Sequence, residues 1–199
     1  MQIDFHHATT YVVARLAGFP QPQAATVAHA SQYVDDATCA GMIRFDNGAL
    51  YSRICSAHKM VDPKNADALA NHLVWLPFHF LPGNDGLAEG LNPIGSFIDK
   101  LVCRPDSPVA RKMVRQAIID QDRAYGLHRL GVVMHVYADT WAHQGVAGVL
   151  HKVNEVENAK ETGTSGVFTK GISSFLNDIL DGAIPPLGHG RATILPDMP

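Results

Sequence analysis

The sequence predicts an all-α fold: a multi-helix bundle around a metal cluster, with at most one short β-hairpin. Three observations lead there. Apolar residues recur at three- and four-residue steps in five or six separate segments, whereas a strand signal is confined to one place. Helix punctuation accompanies that pattern, with Gly18 closing the first segment, Pro22 opening the second, and Asp62-Pro63 and Ser107-Pro108 opening later ones. One segment, Leu130 to Gly145, also carries three strong metal ligands at regular spacing.

These ligands are His135, Asp139 and His143, in a frame that includes Leu130, Val133, Met134 and Tyr137. Four residues turn a helix by about 400°, so the three share one stripe, each about 6 Å further along the axis. The outer two are then about 12 Å apart in rise, too far for one ion held at roughly 2.0–2.2 Å per ligand. The spacing therefore implies two metals with Asp139 bridging. Burying three such groups without partners is costly, which favours ligands over hydrogen-bonded core residues.

Taken in order, the first helix spans Phe5 to Ala17, with Phe5, Val12, Val13, Leu16 and Ala17 at helical spacing and His6 and His7 in its first turn. Either histidine could enter the core beside Thr10. The second runs from Pro22 to Asp36, with Ala25, Ala28, Ser31 and Gln32 keeping one side small. It ends in Asp35-Asp36, where the helix dipole disfavours anions and a ligand role becomes plausible. Met42 to Ile54, turning at Asp46-Asn47-Gly48, is the one hairpin signal. A helix then runs from Asp62-Pro63 to Leu73. The two prolines of Trp75 to Gly83 argue against regular helix and leave His79 in an apolar frame, while residues 83–96 read as a long loop. Ser107-Pro108 starts a helix reaching Ala124, faced by Val109, Met113, Ala117 and Ile118; Gly126 breaks it before the central helix, 128–146. A last helix covers Gly171 to Leu180, followed by a turn-rich tail with His189. Neither repeats nor low-complexity tracts occur.

Composition excludes several classes. With 199 residues, 46% of them hydrophobic, the chain can build one sizeable core, so residues 1–199 are read as a single domain, whose abrupt ending at Leu195 to Pro199 leaves room for further chain. Sixteen basic against nineteen acidic residues provide no field to gather duplex nucleic acid. The cysteines, Cys39, Cys55 and Cys103, form no CxxC pair and read as small core hydrophobes. No window has 18 uninterrupted apolar residues and the N-terminus lacks a leader pattern, so the expectation is a cytoplasmic protein with no transmembrane segment.

The blocks Asp4-Phe5-His6-His7 through Phe19, Ser31 to Asp36, Pro77-Phe78-His79-Phe80, Met134 to Gly145 and Pro186 to His189 together resemble an uncharacterised bacterial family. That family is similar to the zinc-dependent phospholipase C and single-strand nuclease superfamily. The resemblance touches both ends of the chain, and its most specific block is the central helix. It implies a mostly helical fold around two or three zinc ions, or other divalent transition metals. The ligands it implies are His6, Asp35 or Asp36, His79, His135, Asp139, His143 and His189.

Such a cluster would lower the pKa of a bound water and clamp a phosphoryl group, with Asp35 or Asp36 orienting the water or accepting its proton. The expected function is a metal-dependent hydrolase of a small-molecule or lipid phosphoester. The alternative is a metal-stabilised binding or structural module without turnover. An HD-type phosphohydrolase needs a His-Asp dipeptide, and none occurs.

Overall fold

The computed structural model describes residues 3–57 and 68–154, with the backbone alone at 68–71. It is mostly helical with one two-stranded antiparallel hairpin. A wide π turn, Asp4–Thr9, runs straight into α1, Thr10–Leu16, and Gly18 at φ +95° lets the chain reverse into α2, Gln21–Asp36. Then come β1 (Gly41–Arg44), β2 (Leu50–Arg53), α3 (Ala68–Phe78), α4 (Phe97–Leu101), α5 (Pro108–Ile119) and α6 (Gly126–Ala142). The hairpin pairs Met42 with Ser52 and Ile43 with Tyr51, closed by the Phe45 and Gly48 amides over Asp46-Asn47-Gly48. No helix among the described residues is long and apolar enough to cross a membrane.

The fold centres on α6 against α2. Their contact is close because α2 turns Ala24, Ala28 and Ser31 inward and α6 answers with Gly131, where a Cβ would stand 2.3 Å from the Val27 carbonyl oxygen and 2.6 Å from Ala30 Cβ. Below this crossing, Val27, Ala117, Leu130 and Val133 form the buried core, with Phe19, Met113, Val114, Leu127 and Met134 packed on it. Ser107 caps α5 through a 3.2 Å bond to the Ala110 amide. After α6, hydrogen bonds from Cys103 to Val146 and from Gly145 to Cys103 stitch the exit segment to the loop before α5. Asn154 closes that segment with three bonds to the backbone of Ala147 and Val149.

Several expectations change. In the first segment Phe5, Val12, Val13 and Leu16 are exposed, and the inward residues are His6, Thr10 and Ala14. The inward face is polar because it meets a polar site, so the apolar periodicity pointed the wrong way. α3 passes through Pro77 and ends at Phe78: proline forfeits one amide bond, and the amides of both His79 and Phe80 close onto the Trp75 carbonyl. α5 stops at Ile119 because Asp120 turns inward, paired with Arg123 and Arg129. Ile118 is exposed rather than on its inner face. Gly126 is the first residue of α6, not a break before it, and α6 ends at Ala142 so that His143 is its C-cap. α4 follows directly on the expected 83–96 loop, where no element was assigned, and Ser96 and Asp99 form its capping box. Of the cysteines, Cys55 and Cys103 are buried but Cys39 is exposed. The Asp62-Pro63 helix start, the Gly171 to Leu180 helix and the tail lie outside the described residues.

A methyl group at Gly131 would have to push α2 away along its backbone. Gly131→Ala is expected to cost about 2 kcal/mol by overpacking, a fall of roughly 4–8 °C in Tm by calorimetry. An unchanged Tm would mean that the α2–α6 contact yields more easily than this geometry implies.

Candidate metal centre

Five side chains from four segments meet beside the α2–α6 crossing. The π turn brings in His6, fully buried, while its neighbour His7 is exposed. The last turn of α2 provides Asp35, about a quarter exposed, and leaves Asp36 facing solvent. His79 follows the Pro77 turn, and α6 contributes His135 and Asp139, both fully buried.

The backbone sets the imidazole tautomers. His135 Nδ1 donates to the Ser31 carbonyl at 2.9 Å and His79 Nε2 to the Ser56 carbonyl at 2.8 Å. A carbonyl only accepts, so both nitrogens carry the proton. The other ring nitrogens, His135 Nε2 and His79 Nδ1, therefore face each other at 3.2 Å with their lone pairs, beside Asp139 Oδ2 at 3.4 and 3.1 Å. Asp35 Oδ1 stands 3.8 and 3.9 Å from the same two nitrogens.

His6 faces the other oxygens. Its Nε2 lies 3.2 Å from Asp139 Oδ1 and 4.0 Å from Asp35 Oδ2, and its ring stacks on His135 with centroids 3.7 Å apart. Both nitrogens of His6 and Asp139 Oδ1 are buried without an aligned hydrogen-bond partner. Orphaned buried groups of this kind are rare and call for an unseen partner. Two groups close around a point with ligand atoms within 4.8 Å of one another: His6, His135 and Asp139, and Asp35, His79 and His135. These buried His and Asp groups could hold a metal ion.

His143 stands outside both groups. Its Nδ1 donates to the His79 carbonyl at 2.7 Å, its ring stacks on Phe80, and Asp139 Oδ2 is 3.6 Å away. The expected symmetry, His135 serving one metal and His143 another, is mirrored by neither group: α6 ends before His143, whose Nδ1 goes to the backbone. His189 lies outside the described residues. The carbonyls of Ser31 and Ser56 were missed, since any residue carries a carbonyl and no sequence signal marks these two.

The electrostatics follow from burial. Burial pushes the Asp139 carboxyl upward, but positive charge at His143 and contacts with His135, His6 and His79 outweigh it and hold the group well below the usual range. For His135 burial wins, lowering its pKa despite the pull of Asp139, with His6 and His79 adding to the fall. Cys103, behind Asp139, is pushed up to about 12 by burial and by that carboxylate, so it is an inert thiol.

A mostly helical protein with buried histidine and carboxylate groups able to hold a metal ion is the class that fold and site define. Residues 1–199 match the family of unknown function DUF6765, and the chain belongs to that family. No curated protein and no solved structure matches it.

The pH response of the metal-free protein follows from proton counts. The folded chain binds fewer protons at His135 than the unfolded chain does below 6.5, so this group makes stability fall as pH drops through that value. Asp139 contributes stability that is intact above 3.8 and lost only below it. Chelator-treated protein is therefore expected to lose Tm between pH 7 and about 5 in scanning fluorimetry. A flat profile would show that His135 is not desolvated.

Proposed function

We propose that the protein is a metal-dependent hydrolase of a phosphoester, with zinc or another divalent transition metal at a two-ion centre. The observation that carries this reading is how Asp35 and Asp139 divide their oxygens. Asp35 Oδ1 and Asp139 Oδ2 face His79 and His135, whereas Asp35 Oδ2 and Asp139 Oδ1 face His6. Each imidazole nitrogen serves one ion, so the shared members are the carboxylates. Ligands held tetrahedrally at about 2.1 Å stand about 3.4 Å apart, and the first set has separations of 3.1 to 3.9 Å. The second set has three atoms, the number that leaves a position for water or substrate.

A pair of divalent cations there would supply a nucleophilic hydroxide near neutral pH and neutralise the charge of a phosphoryl group. The chain's own residues do the rest. His79 and His135 are held as ligands by the Ser56 and Ser31 carbonyls. His143 fixes the His79 backbone, and Asp35, the member that reaches solvent, is placed to orient the attacking water and accept its proton. The resemblance of the sequence blocks to the zinc-dependent phospholipase C and nuclease superfamily supports the choice of a phosphoester. Of the other residues that resemblance implies, Asp36 faces solvent, His143 acts through the His79 backbone, and His189 lies outside the described residues.

The complete burial of His6, His135 and Asp139 also suits a metal-stabilised module without turnover. A phosphodiesterase and phosphomonoesterase screen, with and without chelator, separates the two. A hydrolase loses activity on chelation and regains it with added zinc; a structural site loses Tm and shows no turnover in either state.

Metal stoichiometry gives a sharper expectation. Asp139→Asn is expected to lose both ions and His6→Ala mainly one. His143→Ala should keep two, with affinity weakened about 10–100-fold as for an outer partner. Full occupancy in Asp139→Asn, measured by plasma emission at matched pH, would rule out the bridging role.

A further inference from the structure

We propose that the β1–β2 hairpin is a docking element that seats the protein on a phospholipid surface, with the solvent-reaching side of the His–Asp centre at its root. The hairpin's side chains are exposed throughout, including Met42, Ile43, Phe45, Leu50, Tyr51 and the following Ile54. Among the described elements the two strands pack mainly on each other. A hairpin of two strands is at best marginal alone in water, so one with this composition needs a partner.

The register identifies that partner as lipid rather than protein. Ile43 pairs with Tyr51, placing Ile43, Tyr51 and Phe45 on one face; Met42 pairs with Ser52 and Arg44 with Leu50, placing Met42 and Leu50 on the other. A strand pair docked on a protein presents one apolar face and keeps the opposite one polar. Apolar residues on both faces suit surroundings that are apolar on both sides. The charge agrees: residues 41–54 carry Arg44 and Arg53 against Asp46, a local excess of positive charge in a chain of net −3. Guanidinium groups bind phosphate oxygens in bidentate fashion. Insertion is shallow, because the outer edges of an isolated hairpin need water or headgroups for their amides and carbonyls.

The attachment points connect this element to the site. The chain leaves the centre at Asp35, and three residues after β2 it returns at Ser56, whose amide and hydroxyl bind the Ala37 and Val34 carbonyls at 3.0 and 2.8 Å. The Ser56 carbonyl holds His79. A bilayer gripped by the hairpin would thus lie near Asp35, the centre's partly exposed member, and its headgroups would be the phosphoesters offered. This last step rests on the hydrolase reading; lipid binding does not.

The test is flotation of the full-length protein with phosphatidylcholine vesicles, with and without phosphatidylserine, beside hydrolysis of a soluble phosphodiester. Binding is expected, and the exposed triple variant Met42→Ser, Phe45→Ser, Leu50→Ser should lose at least about tenfold in partition without a change in Tm or in soluble-substrate hydrolysis. Arg44→Gln and Arg53→Gln should each weaken binding to the anionic vesicles by roughly fivefold. In a second measurement Phe45→Trp should add fluorescence that iodide quenches in solution and that acyl-chain-brominated lipid quenches on vesicles. Absence of flotation, equal flotation of the triple variant, or an added indole shielded from iodide before lipid is present would each overturn the proposal. The last result would mean that protein covers the hairpin. Flotation without hydrolysis would refute the hydrolase reading alone, and hydrolysis of the soluble substrate without flotation would refute the docking element alone.

Discussion

The structure depends on keeping one carboxylate, Asp139, ionised with no access to water. Such a charge costs several kcal/mol after relaxation unless compensated in place. Around it stand His6, His79, His135 and His143 at 3.1 to 3.6 Å, and a metal ion held among these groups would supply the compensation that the lone pairs of His79 and His135 cannot. Gly131 permits the close α2–α6 contact that brings the Ser31 carbonyl and Asp35 to His135, so a packing detail one helical turn away bears on the electrostatics of the site.

Anchoring by backbone is the second theme. Each imidazole that faces the carboxylates with a lone pair is aimed by a carbonyl from another segment: His135 by Ser31 on α2, His79 by Ser56 after the hairpin. A carbonyl cannot be changed by substitution of its own side chain, and it fixes the tautomer as well as the ring plane. His143 extends the logic by binding the carbonyl of a neighbouring member. The two carboxylates that face these imidazoles can then stay open to a cation while both rings are held.

How much of this was legible depended on whether the information lay in side-chain spacing. His135 and Asp139 could be paired because a step of four on a helix is a geometric statement. The helical bundle and the single hairpin followed from periodicity and turn chemistry in the same way. His143 broke the pattern because the helix ends at Ala142, and a ligand stripe says nothing about where its helix stops. Asp35 and Asp36 could not be separated, since adjacent residues on a helix differ by about 100° in direction and only the position of α6 selects one. The first helix misled because its outward face is apolar, and solvent exposure is a tertiary property. Pro77 misled because proline removes one bond and the following amides found another acceptor.

The members of the centre are spread from His6 to Asp139, and the bond that steadies them comes from His143. A growing chain that has produced α1, α2, the hairpin and α3 already carries His6, Asp35 and His79, yet has neither the helix that backs them nor the carboxylate that unites them. The centre therefore cannot close until α6 has been made, however early its first members appear. Histidines synthesised early stay available to any passing cation in the meantime, so choosing the right ion falls to the finished geometry rather than to the order of synthesis.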